Sequence, residues 1–334
     1  MILIDALYIN GGGGKVLLDY LIFELEKTDK EITFLLDERI KNKRNYFSEK
    51  NTFIFMEADL KKRSNFYKKN KSTFSSILCF GNLPPNIRTK AKVYTYFHQS
   101  LYLDLPDDMN FVKKGIYKLK TLVVRYFKPN TDFWIVQNEL VQNSLSKKYA
   151  INKSKIKILP FYPSFLSHEK FERNRHQYIY VSDAPPHKNH LLLIEAFCAF
   201  YDKFNIGRLV LTVSEEFLPL VEVIKEKVKL NYPIENIGFV QREKLQQYYS
   251  ESHYHIFPSI SESFGLGLVE AIENGCDIIG ADLPYTYEVC EPSIAFNPFE
   301  VNSILDALTL SMQNNIPKST SKVKNQIEKI IDLL

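Results

Sequence analysis

Short apolar and β-branched runs alternate with longer helical patterns along all 334 residues, and this alternation constrains the fold more than any other feature. In the first half it predicts strands over 1–7, 31–37, 52–57, 75–80, 92–98, 133–137 and 155–159, with helices such as 15–27 and 138–149 between them. In the second half it predicts strands over 177–182, 208–213, 236–240, 254–257, 276–280 and 293–296. Strands alternating with helices imply parallel sheets with helices on both faces. The pattern runs twice, broken by the proline-marked stretch 160–176, PFYPSFLSHEKFERNRH. The expected class is α/β, with two doubly wound parallel-sheet domains over 1–165 and 166–316 and a final helix over 317–334. The length suits two domains of about 150 residues each. Ligands are expected in a cleft at the carboxyl ends of the strands.

The bulk features exclude several classes. No apolar run approaches the ~20 residues of a membrane span. Met1-Ile2-Leu3-Ile4-Asp5 carries no basic leader and reads as a first strand rather than a signal peptide. Cys79, Cys198, Cys276 and Cys290 are scattered without a C-x-x-C pair, which fits a reduced cytoplasmic protein with no cysteine metal site. Residues 1–167 hold 28 Lys and Arg against 16 Asp and Glu, a balance of +12, whereas 168–334 hold 15 against 23, or −8. The first half should therefore prefer an anionic partner.

The stretch SESFGLGLVEA, 261–271, brackets a glycine-punctuated apolar turn with Glu262 and Glu270. The preceding strand ends at Pro258-Ser259, a helix begins near Gly265 or Leu266, and Gly275 is a natural stop. A helix N-terminus that follows a strand presents free amides and about half a positive charge, a place for phosphate. Glycines at 265 and 267 would let a ligand approach the backbone. Glu270 could accept hydrogen bonds from ribose hydroxyls while Glu262 sits at the mouth of the cleft. The same window would also make an ordinary buried helix with Glu270 and Glu273 in solvent.

A comparable turn opens the second domain. In YIYVSDAPPHKNHLLLIEAF, 178–197, a strand ends near Ser182 and Lys188 stands at a helix start, where a cation opposes the dipole unless an anion lies between them. A plain surface lysine is the alternative.

With both turns placed, the chain resembles the retaining nucleotide-sugar glycosyltransferases of GT-B architecture, specifically glycosyltransferase family four. The resemblance rests on Glu262-Ser-Phe-Gly-Leu-Gly-Leu-Val-Glu270, on the run FVQREKLQQYYSESHYHIFPSISESFG before it, on NGCDIIGADLPYTYEV after it and on HKNHLLLIEAF, and covers most of 177–298. INGGGGKVLLDYL and VYTYFHQS are similar to the family's glycine loop and histidine strand. The resemblance implies two Rossmann-like domains facing across a cleft, the first for the acceptor, the second for a UDP-, GDP- or dTDP-sugar, with the last helix crossing back to the first. It implies that Glu270 binds ribose, Glu262 contacts the transferred sugar, and Lys188 with the backbone at Phe264, Gly265, Leu266 and Gly267 holds the diphosphate. His98 would stand near sugar and acceptor, and Gly12, Gly13 and Gly14 would let the first domain's loop approach the donor. The family's usual arginine six residues before the lysine is Ser182 here, so Arg242 or Lys15 is the candidate second cation. The acceptor implied is a saccharide or polyprenyl-diphosphate-linked saccharide of surface polysaccharide assembly, such as O-antigen or capsule.

No D-x-D or H-E-x-x-H occurs, and His187, His190, His253 and His255 lack a metal-binding spacing, so no metal or cofactor is expected and these histidines read as half-buried or surface groups. NGGGGKV, 10–16, is neither a Walker loop nor a dinucleotide fingerprint, because Val16 stands where Ser/Thr or a third glycine is needed. It reads as a strand-to-helix loop. The segments 61–71 and 111–128 carry six Lys/Arg each. They suit peripheral attachment to an anionic membrane on its inner face, or, for 111–128, a helix whose apolar side packs on the domain. No nucleic-acid reading motif accompanies the charge. A nucleotide-sugar epimerase of the same plan and a non-catalytic sugar-nucleotide-binding subunit stay open as alternatives.

Overall fold

The computed structural model describes residues 1–43, 50–105, 109–165 and 171–334. It divides into two compact units, Met1–Pro163 with Lys324–Leu334, and Ser164–Val323. Residues 166–170, where the second domain was expected to begin, lie outside the described residues.

The first unit is built on seven parallel strands: β1 Ile2–Ala6, β2 Ile32–Asp37, β3 Thr52–Met56, β4 Ser76–Cys79, β5 Lys92–Tyr96, β6 Phe133–Val136 and β7 Ile156–Ile158. Their order is β3-β2-β1-β4-β5-β6-β7. Every residue of β1, β2 and β4 is buried, whereas β3, at one edge, is partly exposed. Central parallel strands are covered on both faces, so they read as unbroken apolar runs. Helices α1 Gly12–Glu26, α2 Leu60–Lys69, α3 Phe111–Phe127 and α4 Glu139–Tyr149 lie along the chain between strands. Gly12, Gly13 and Gly14 are thus the first turn of α1 rather than a loop ahead of it.

The second unit repeats the plan with β8 Asn174–Tyr180, β9 Arg208–Leu211, β10 Ile234–Asn236, β11 Ser252–Phe257, β12 Asp277–Ala281 and a sixth strand, Ile294–Phe296. The order is β10-β9-β8-β11-β12 and then the sixth, again all parallel. Helices α5 His190–Phe204, α6 Leu218–Lys229, α7 Arg242–Glu251 and α8 Leu266–Glu273 connect them. β10 lies ahead of the expected 236–240, and a two-residue antiparallel pair, Cys290–Glu291 with Thr320–Ser321, was not expected at all. Both sheets reverse direction of growth between their first and fourth strands, the place where such sheets open a crevice for ligands.

The last helix covers only Ile327–Leu333, not 317–334. Residues 317–326 lack an apolar period and include the strand pair's Thr320–Ser321. Within the first unit, Asn325 donates to the Tyr20 hydroxyl at 2.9 Å and to the Tyr162 carbonyl at 2.8 Å, and Ile327 and Ile330 are buried. All four cysteines are free and buried.

Candidate functional site

In the second unit, the loops leaving β8 and β11 lie on either side of the reversal and are tied together. Ile260 N donates to the His187 carbonyl at 2.8 Å, and Asn189 Nδ2 donates to the carbonyls of Pro258 (3.3 Å) and Pro298 (2.6 Å). Asn189 takes a left-handed conformation, φ 60°, which asparagine tolerates, and this turns the chain into α5. Lys188 is therefore two residues ahead of that helix, in a short 3₁₀ turn over Pro186–Lys188, and not at the helix start as expected.

This geometry brings Lys188 to Glu262. Their Nζ and Oε1 are 2.5 Å apart, and the ammonium also lies 5.7 Å from the Phe257 ring centre. The second signature acid has its own cation. Arg242, the first residue of α7, donates from Nε to Glu270 Oε1 at 3.0 Å and stacks 3.9 Å above the Phe165 ring. The Tyr249 hydroxyl reaches Glu270 Oε2 at 3.4 Å. Glu270 is 5% exposed, so the alternative that left it in solvent is set aside, while Glu273 is exposed. Burial pushes the Glu270 carboxyl above its ordinary value and Arg242 pulls it back down. Tyr249 is raised well above the usual phenol range, chiefly by burial, and so keeps its proton as a donor.

Between the acids, α8 is preceded by Gly265, whose φ of 79° places it where glycine is favoured. Gly265, the residue at the helix cap, has no side chain to cap it. Phe264 is buried. Gly275, φ 78°, ends the helix, with its amide on the Ile272 carbonyl at 2.9 Å. Gly267 differs from expectation: a Cβ there would lie 3.3 Å from Phe257 and 3.5 Å from His255 Nε2, so its missing side chain is a packing need and does not open the backbone to a ligand. Leu266 is partly exposed. The Ser182 hydroxyl donates to the Asp183 carbonyl at 2.6 Å. Of the two cations considered in place of an arginine at 182, Arg242 is engaged with Glu270, and Lys15, in the first unit, is paired with Asp19.

Two of the four histidines differ from expectation, while His187 and His253 are half-buried as expected. His190 and His255 are fully buried, and burial drives each imidazole down to about 3, so both are neutral core groups. His253 is half-buried, 3.7 Å from Asp277.

The first unit gathers other groups at its own reversal. His98 follows β5, its backbone amide held by Asn82 Oδ1 at 2.7 Å and its ring among Phe80 and Tyr96. A Cβ on Gly14 would stand 2.8 Å from His98 Cε1, so glycine at 14 is what admits the ring. Gly12, φ 61°, and Gly13 have open space where a side chain would go. Burial lowers His98 to about 4, and its Nε2 is enclosed without a partner. Below this, Asp5 accepts from Arg63 Nε at 2.8 Å and from the Tyr67 hydroxyl at 2.6 Å, all three buried. Arg63 further donates to the carbonyls of Pro84 (2.8 Å) and Leu83 (3.0 Å) and to Asn86 Oδ1 (3.0 Å), fixing the loop after β4 that carries Asn82. Sequence reasoning missed this cluster by counting Arg63 in a basic run. Its spacing with Phe66 and Tyr67, three and four residues on, is the signal of a shared buried face.

Comparison with known proteins agrees with this picture. Residues 165–329 match the model of Glycosyl transferases group 1. The O-antigen chain mannosyltransferase RfbU of Salmonella typhimurium is 24% identical over 194 residues, 56% of this chain and 52% of the relative, so the match spans about half that relative's length. Among solved structures, sucrose-phosphate synthase from Thermosynechococcus elongatus superposes with a TM-score of 0.68 at 15% identity, over 92% of this chain and 88% of that one. Anabaena HepE, solved with UDP-glucose, gives 0.66 at 12% identity over 93% and 89%. The fold is that of the GT-B glycosyltransferases, two parallel-sheet α/β domains, and its second domain carries the sequence pattern of Glycosyl transferases group 1.

Proposed function

We propose that this protein is a retaining, metal-independent glycosyltransferase. It moves a hexose-type sugar from a UDP-, GDP- or dTDP-sugar to a saccharide or polyprenyl-diphosphate-linked saccharide in bacterial surface polysaccharide assembly, from the cytoplasmic side. One observation carries the reading. Two acid–cation pairs, Lys188–Glu262 and Arg242–Glu270, flank a helix end that begins at a glycine cap where the sheet reverses, inside the segment that matches the family. The Salmonella relative's O-antigen role supports the acceptor class, and the UDP-glucose in HepE supports the donor class.

The pairs suggest how a donor enters. Lys188 and Glu262 are partly exposed, so a diphosphate can take Lys188 in exchange for the carboxylate. Glu262 is then released to hydrogen-bond hydroxyls of the sugar. Glu270, kept in place by Arg242 and Tyr249, accepts from ribose hydroxyls. The bond from the anomeric carbon to the diphosphate oxygen breaks as the acceptor oxygen bonds to that carbon from the same face, and the acceptor's proton leaves with the diphosphate. Lys188 and the amides of α8 stabilise the charge that develops on the leaving group.

The reading is tested by thermal shift with the three nucleotide-sugars and by release of nucleotide from radiolabelled donor. A donor at 100 times its dissociation constant adds ~2.7 kcal/mol to stability. Lys188→Ala should lower turnover about 10²-fold, and EDTA should leave it unchanged. Donor binding with no transfer or hydrolysis would mark a binding subunit, an altered sugar on intact nucleotide would mark an epimerase, and no shift with any donor would overturn the assignment.

A further inference from the structure

Helix α3, Phe111–Phe127, turns its apolar side outward. Of its 17 residues only Val124 is buried. Phe111, Val112, Ile116, Leu119, Leu122 and Tyr126 are between 48% and 92% exposed. At 100° per residue these six fall within an arc of roughly 140°, opposite the side on which Val124 meets the domain. Lys118 and Arg125 border one edge of the arc, Lys113 and Lys120 the other, and the helix has no acidic residue. At its carboxyl end Leu122, Val123, Tyr126 and Phe127 meet exposed Leu60 of α2 around an apolar hollow of ≈ 340 Å³. Lys61, Lys62, Lys68 and Lys69 are exposed on that neighbouring helix.

An apolar stripe packed on the domain would explain the sequence, but the structure does not place it there. We propose that α3 lies along an anionic phospholipid surface, with Val112, Ile116, Leu119, Leu122 and Tyr126 at the acyl boundary and Lys113, Lys118, Lys120 and Arg125 among the phosphates. An interfacial helix has this arrangement: a broad apolar face bordered by cations on both sides. A polyanion such as nucleic acid would use the cations and leave the apolar arc in water. A second copy meeting this face about a two-fold axis would oppose its own all-basic borders. Among the described residues no helix is long and apolar enough to cross a membrane, so the contact is peripheral.

The full chain is sedimented with vesicles of phosphatidylcholine alone and of phosphatidylcholine with phosphatidylglycerol. It should partition onto the phosphatidylglycerol vesicles and come off as salt screens the charges. Leu119→Gln and Leu122→Gln should each weaken partition by about tenfold, and Lys118→Gln and Lys120→Gln by about fivefold each, all with an unchanged melting temperature because these side chains are exposed. The proposal is overturned if the wild type binds neither vesicle, if the glutamine variants bind as well as it does, or if a concentration-dependent dimer lost in Leu119→Gln appears in place of vesicle binding. The donor thermal shift on the same preparation keeps the outcomes apart: a failed vesicle assay with a normal shift sinks this surface alone.

Discussion

The two units use one strand plan and one electrostatic device in opposite states. In the first, Asp5 and Arg63 are sealed at 1% side-chain exposure each, and the guanidinium also holds three acceptors of the loop after β4. In the second, Lys188 and Arg242 keep 18% and 22% exposure, and each holds one signature acid. A sealed pair that loses one partner leaves an unpaired charge out of water, so it acts as a structural tie. A partly solvated pair can trade its partner for a ligand group at little cost. Ligand chemistry is therefore expected to reside in the second unit's pairs, and loop positioning in the first unit's.

The largest test of that contrast is Arg63→Met. It should cost ~3–5 kcal/mol, read as a lower urea midpoint of Trp134 fluorescence, because Trp134 is the chain's only tryptophan and is buried in the first unit. Adding Asp5→Leu should recover only part of the loss: the unpaired charge is gone, but the loop acceptors of Arg63 and the Tyr67 hydroxyl still lack the bonds they made to these residues. Lys188→Met should cost less than ~1 kcal/mol. Equal costs for the two cations would break the comparison.

How far the sequence reached follows the same division. The central strands of both parallel sheets were legible because a strand covered on both faces is a local apolar run, whereas the edge strand β10 lies ahead of where it was expected. The pair Cys290–Glu291 with Thr320–Ser321 was not, since two residues carry no periodicity. Glu262, Glu270 and Lys188 were singled out as candidates within single windows. Their partners were another matter. Arg242 was raised as a substitute phosphate cation, yet it lies 28 residues from the acid it holds. Arg63 lies 58 residues from Asp5. Phe165 and Tyr249 beside Arg242 and Glu270 left no local trace either. Pairings across such distances are decided by strand order, which a window does not contain. The exposed side of α3 was undecidable for the same reason: its pattern has an apolar face, but only packing says which way the face points.

Acid titration of stability gives the next test. His98 ionises at about 4 in the first unit, and His190 and His255 at about 3 in the second, against an ordinary value of 6.5. The unfolded chain therefore takes up these protons first, and stability falls as pH drops from 6.5 toward each folded value. Each histidine adds a slope of about 1.4 kcal/mol per pH unit in its window. The second unit, where burial also lowers His187 and His253, should lose stability more steeply and continue to about 3. Glu270, raised by burial, works the other way and takes up its proton more readily when folded. Trp134 fluorescence follows the first unit and circular dichroism the whole chain. His98→Gln should flatten the fluorescence curve and leave the second unit's share of the dichroism curve unchanged. A first unit as acid-sensitive as the second would contradict the burial contrast between these rings.

The smallest effect separates the glycines. A Cβ on Gly13 meets open space, whereas one on Gly267 meets Phe257 at 3.3 Å. Gly13→Ala should raise stability by up to ~1 kcal/mol, through a better helix former and a less free unfolded chain. Gly267→Ala should gain nothing comparable, because the squeeze against β11 offsets the same propensity. Turnover then discriminates what stability cannot. If the amides of α1's first turn meet the substrate, the methyl at 13 stands in its way, and Gly13→Ala is a more stable protein with weaker substrate affinity. If turnover and affinity are untouched while the melting temperature rises, the open glycines only start a helix, and the first unit's share in binding falls to His98 and its neighbours.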